Sequence, residues 1–404
     1  MNSLSASANI KLTRYLYIKD EVELSLVSAI LERSDHALFW CYELYHSGYI
    51  NDLIHLLWKI YFDFFAVLNP SFEKYLITKC KVLHNQNTSN DIGIDTLKQI
   101  CDEKMVGNIV ENLLIRPHNL DVFVLREMAC QFDFDFNNEL IEKYKTSKNI
   151  SIISNILTEL LNEEDYLMLS NLFINVIDVA DLTNIFGDLI EYYKLIGIQF
   201  KSNNEKMLND FSNLIKIHDA RLVLLSKLIH FESLKKNKKM GKNIFIQIEY
   251  NQIKKYETVE AILFSRERPA YKILKQSNLL RVDEYNYLSL FSLQRSNYDF
   301  KNIWYYDWVY YASFSPLWLK RIKQHNGIIS HSSQKVIFIN EDDEECFVEY
   351  YNLEPDEQTK EIQNLLIGPI LKERSWKDLI KKYSEFSILN IDEELLNDLS
   401  IVVY

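Results

Sequence analysis

The chain has 404 residues, of which 48% are hydrophobic and 25% charged, a globular rather than a disordered balance. Its formal net charge of −12, from 45 Lys and Arg against 57 Asp and Glu, excludes a general duplex-DNA binder, because affinity for phosphate comes from clustered cations. Only 8 Gly and 6 Pro disfavour turn-rich β sandwiches and glycine-rich phosphate-binding folds and favour long helices.

The first residues, "MNSLSASANIKLTRY", lack the apolar run of a secretory signal, so residues 1–12 are expected to be a disordered tail. A helical domain is expected over 13–234. Val22, Leu26, Ala29 and Ile30 share a helix face, and Asp20, Glu21 and Glu23 crowd its start. Asp35 is the expected cap of a second helix that stops at Gly48. The most apolar stretch, "LIHLLWKIYFDFFAVL", carries His55, Lys59 and Asp63. It is shorter than the ~20 apolar residues of a membrane span and reads as a buried helix. Pro70 opens a fourth helix. Turns of a few residues between such helices indicate antiparallel hairpins. The helical pattern continues to about residue 234, broken by the polar segment 84–95 and by Pro117.

Residues 235–243, "KKNKKMGKN", are expected to form a basic linker; Lys235, Lys236, Lys238 and Lys239 are candidates for contact with nucleic-acid phosphate. After it, "IFIQIEY" alternates and suits either a strand or a helix start. A C-terminal helical module is expected over 244–404. The stretch from Trp304 to Trp318 holds eight aromatic residues and splits at Pro316, which predicts helices over about 302–313 and 316–326 with Ser315 as the second cap. Trp304, Trp308 and Trp318 are expected in the core. Tyr306 and Tyr310, on the other face of the first helix, are candidates for a partner surface. Lys320, Arg321 and Lys323 add a second small basic patch. Residues 327–340 predict a β-hairpin, followed by an acidic helix capped by Asn340. Between 341 and 357 lie nine acids and no Lys or Arg, which suits docking of a basic partner; the Ca²⁺-loop pattern is missing. The fold class is therefore mostly α, an array of antiparallel helical hairpins with a small hairpin-containing α+β module at the C-terminus.

No linear catalytic signature is present: no phosphate-binding glycine loop, nucleophile elbow or H-E-x-x-H. The five cysteines form no C-x-x-C pair, which disfavours a zinc ribbon and fits a reducing compartment. "YNYLSLF" offers Tyr285, Leu290 and Phe291 in the Y-x-x-x-x-L-Φ spacing, and resembles the short helical motif by which translation-initiation scaffolds hold a cap-binding factor.

Four stretches, "DHALFWCYELYHSGY", "LLWKIYFDFFAVLNPSFEKY", "RERPAYKIL" and above all the run from "YYDWVYYASFSPLWLKRIKQHNGIISH" to "EIQNLLIG", resemble an uncharacterised protein family of nucleocytoplasmic large DNA viruses. The resemblance implies a viral origin, expression in an infected cell and a cytoplasmic site of action. It brings no catalytic residues. The expected activity is that of a non-enzymatic scaffold for protein partners, with two alternatives: an RNA-associated, translation-initiation-type scaffold that binds a cap-binding factor and touches RNA through the local basic patches, and a virion structural component. No cofactor, membrane or small-molecule substrate is expected.

Overall fold

A computed structural model describes residues 10–84, 103–131, 138–216, 218–257, 300–351, 360 and 380–389. The described residues are mostly helical. Helices α1 (Lys19–Leu31), α2 (Ala37–His46), α3 (Ile50–Ile60) and α4 (Pro70–His84) follow one another through short turns. Asp35 does not cap α2; His36 holds the cap position, without a side-chain bond. A π-helical turn, Tyr61–Phe65, prolongs α3. It carries Asp63 inward to a two-pronged contact with the Arg126 guanidinium, both N···O distances being 3.0 Å. That pairing lets an ionised residue sit in the apolar run. None of the described helices is long and apolar enough to cross a membrane.

Next come α5 (Glu103–Leu114), α6 (Asp121–Gln131), α7 (Asn138–Ser147), α8 (Ile150–Glu163), α9 (Tyr166–Asn171), α10 (Leu182–Leu195), α11 (Asn204–Leu214) and α12 (Ala220–Lys235). Asn149, Asp165, Asn203 and Asp219 cap α8, α9, α11 and α12 through side-chain oxygens that accept first-turn amides. The C-terminal part contributes α13 (Tyr250–Lys254), α14 (Phe300–Tyr306), α15 (Trp308–Ala312), α16 (Pro316–Gln324), strands β1 (Gly327–Ser330) and β2 (Lys335–Phe338), and α17 (Glu341–Tyr351). The strands pair antiparallel in the register Ile328↔Ile337 and Ile329↔Val336.

Of residues 10–12, assigned above to the tail, Ile10 and Leu12 are buried in the core. Leu12 N–H donates to the Tyr311 carbonyl, and the Trp318 indole donates to the Thr13 carbonyl. Buried apolar residues form one cluster running from Ile10 to Ile388, so the division drawn at residue 244 does not separate two cores. Residues 235–243 are not a free spacer either. Lys235 closes α12, and Gly241 N–H donates to the Leu68 carbonyl at 2.8 Å.

The alternating stretch after it is extended but has no strand partner among the described residues. Its backbone is bound by side chains of α5 and by Arg116 just beyond it. Asn108 Oδ1 accepts from Ile248 N–H, Asn112 exchanges two bonds with Ile246, and Arg116 donates to the Ile244 carbonyl.

The N-terminal segment is fastened by Arg14. Its Nε lies 2.8 Å from Glu43 Oε2, with the two side chains 1% and 0% exposed. Arg14 also donates to the Tyr256 carbonyl, and Tyr15 N–H donates to Glu43 Oε1. A buried charge without its partner is strongly unfavourable. Arg14→Met is expected to cost about 3–5 kcal/mol. Arg14→Met with Glu43→Leu is expected to recover much of that loss, as measured by a double-mutant cycle in urea.

His118 is buried between the rings of Phe65 and Tyr383, at 5.3 and 4.2 Å. Neither ring nitrogen has a hydrogen-bond partner. Burial, with Arg33 and Lys382 nearby, lowers its pKa from 6.5 to about 3. Between those values the unfolded chain binds the proton and the folded chain does not, so stability is lost as pH falls below the unfolded value. His118→Phe is expected to remove about 2 kcal/mol of the stability lost between pH 7 and pH 5, read from denaturant midpoints at the two pH values.

Candidate functional site

The aromatic stretch builds a packed nest. Trp308 and Trp318 meet edge to face at 5.3 Å, and Phe347 and Tyr351 of α17 close on Trp318 at 6.3 and 5.5 Å. Trp304, Trp308 and Trp318 are all buried. The expected first helix breaks at Asp307, whose φ of −117° and ψ of 7° separate α14 from α15. This break explains the fate of the two candidate tyrosines. Tyr306 ends α14 and is 72% exposed, whereas Tyr310 restarts on α15 and is 6% exposed. Tyr310 O–H lies 3.3 Å from His331 Nδ1 in the hairpin turn. Only Tyr306 of the pair is available to a partner.

Pro316 opens α16 as expected, but the Ser315 hydroxyl makes no cap. It donates instead to the Ser47 carbonyl at 2.7 Å, tying the nest to the end of α2. Gly48, with φ of +89°, lies so close to Pro316 that an added Cβ would stand 2.7 Å from its ring. The glycine therefore serves both the helix stop and this docking.

The basic candidates separate. Lys235 and Lys236 both reach Glu164 at 2.9 Å, and their two ammonium groups hold the Glu164 carboxyl down at about 2. Lys238 donates to the Glu385 carbonyl. Arg321 is buried, its guanidinium 4.5 Å from the Trp318 ring and 4.7 Å from Tyr351. Stacking between rings removes it from any phosphate-binding surface. Lys239, Lys320 and Lys323 are exposed. Tyr285, Leu290 and Phe291 lie outside the described residues.

The hairpin carries the surface that sequence reasoning did not single out. Ile329, Val336 and Phe338 turn toward the core, and Phe338 meets Phe347 at 5.2 Å. Ile328, Ile337 and Ile339 line the opposite face and are 59%, 55% and 68% exposed. Alternation puts Ile328 and its register partner Ile337 on one side of the hairpin, with Ile339 just past β2 and exposed Lys335 at the turn end of the same side. Directly after it, Asn340 Oδ1 accepts from Asp343 N–H, capping α17 as expected. Glu341, Asp342, Glu344, Glu345 and Glu349 of that helix are exposed. Three isoleucines thus face solvent beside a helix whose ordinary ionised groups are all negative. Among the described residues, no group of three or more His, Cys, Asp or Glu is arranged to hold a metal ion.

Compared with known proteins, the chain matches no family model, no curated sequence and no solved structure.

Tyr306→Ala is expected to change stability by less than about 0.5 kcal/mol, as surface substitutions do. Tyr310→Ala is expected to cost about 3 kcal/mol, the scale of truncating a large buried side chain. Thermal and denaturant unfolding of the two variants provide the comparison.

Proposed function

We propose that the protein is a non-enzymatic interaction scaffold whose C-terminal hairpin holds a basic partner segment. The observation that carries this reading is the exposed Ile328–Ile337–Ile339 face beside the acidic α17. Exposed apolar patches rimmed by charge mark interaction sites. The isoleucines supply contact area, and the acids select a partner segment with Lys or Arg next to its apolar residues. The resemblance to the large-DNA-virus family supplies the proposed setting, the cytoplasm of an infected cell. An RNA-associated role is less favoured, since Lys235, Lys236 and Arg321 are occupied by protein partners.

The test is purification of the tagged full chain at native expression, in parallel with Ile337→Lys, with and without RNase. A partner held in fixed ratio, released by raised salt, insensitive to RNase and lost from Ile337→Lys is expected. Retention by Ile337→Lys, or recovery of no partner in fixed ratio, refutes the proposed surface. Loss on RNase treatment selects the RNA-bridged role instead.

A further inference from the structure

A second feature lies in the helical part. Helices α11 and α12 wall a cleft of about 610 Å³ that also takes in the start of α4 and the turns at 199–202 and 240–243. Both helices use the same spacing. Met207, Asp210, Phe211 and Leu214 line it from α11, and Lys227, His230, Phe231 and Leu234 from α12. Offsets of three, four and seven put each set on one helix face. The volume falls within the range of ligand sites, which run from about 300 to 1,000 Å³.

Aromatic rings dominate the wall. Phe186 stacks on Phe211 at 4.3 Å, and Phe200 lies 4.8 Å from Phe231. The charged groups cancel: Lys227 Nζ is 2.6 Å from Glu73 Oε2, and exposed Lys201 and Asp210 are of opposite sign. The lining therefore carries no net charge. Among the polar residues of the lining, His230 supplies a directional group of fixed tautomer. Its Nδ1 lies 2.6 Å from the Val67 carbonyl. A carbonyl only accepts, so Nδ1 carries the hydrogen and Nε2 keeps a lone pair. Burial lowers the His230 pKa to about 4, so the ring is neutral and Nε2 remains an acceptor at neutral pH.

We infer that this cleft is a binding site for a small, uncharged aromatic molecule that donates one hydrogen bond from a ring N–H or O–H to His230 Nε2. This site is separate from the hairpin face and stands independently of the scaffold reading.

The probes that test it are indole, N-methylindole and indoleacetate, titrated against the purified full chain by saturation-transfer NMR. Indole matches the inference, N-methylindole removes the donor, and indoleacetate adds a negative charge. Saturable indole binding is expected, about tenfold tighter than N-methylindole, the scale of one hydrogen bond. Indoleacetate is expected to bind more weakly than indole. His230→Phe is expected to erase the preference for indole over N-methylindole. Met207→Trp, which fills the cleft from a half-buried position on the opposite wall, is expected to abolish indole binding and decides the matter if His230→Phe fails to fold. Equal binding of indole and N-methylindole by the unaltered chain, no saturation by indole, or indole binding unchanged in Met207→Trp overturns the inference.

Discussion

The buried pair of Arg14 and Glu43 is the contact on which the remaining architecture depends. Charge withdrawn from water requires close partners, and both groups find several. Arg14 N–H donates to the Ser47 hydroxyl, and that hydroxyl in turn donates to the Glu43 carbonyl. The Ser47 carbonyl then accepts from Ser315 and from Leu317 N–H. One polar chain thus runs from the N-terminal segment through the end of α2 to the start of α16. The aromatic nest is seated on this chain, and the hairpin and acidic helix are seated on the nest. The exposed isoleucine face owes its orientation to an ion pair far from it in sequence.

A second set of polar ties fixes the C-terminal stretch 380–389. Asp121 accepts from the Ser387 hydroxyl and from Ile388 N–H, and burial raises its carboxyl to about 6. Tyr383 O–H donates to the Leu31 carbonyl. These bonds join residues from opposite ends of the chain, so the helical part and the C-terminal part share one packed interior. In the same way Glu232 accepts from Tyr166 and Tyr193, holding α9 and α10 to α12 beside the cleft.

Much of the fold was legible from local rules. Pro70 and Pro316 open helices, the Gly48 turn follows α2, Asn340 caps α17, and the hairpin falls where alternation and polar turn residues predict it. Other features depend on contacts remote in sequence. Tyr310 is buried because the helix breaks at Asp307, and nothing in "YYDWVYY" marks Asp307 as a break rather than a helical residue. Arg321 has the spacing of a surface cation, but Trp318 and Tyr351 enclose it. His230 carries no sequence signal, since a lone histidine on an apolar helix face is ordinarily a core residue. The outward isoleucines were visible as strand residues, but the face left uncovered became apparent only once the other was packed.

The extended segment bound to α5 shows how a helix can stand in for a neighbouring strand. Four helical residues advance about 6.0 Å, while two strand residues advance about 6.6 Å. Asn108 and Asn112, four apart on α5, therefore meet Ile248 and Ile246, two apart on the extended segment, with a mismatch of only about 0.6 Å. The third tie comes from Arg116, just beyond the end of α5, whose long side chain reaches the Ile244 carbonyl. Past Ile248 the chain leaves α5 at Glu249 and turns into α13. The two periodicities act like the scales of a vernier: their near coincidence sets the register of the segment against the helix.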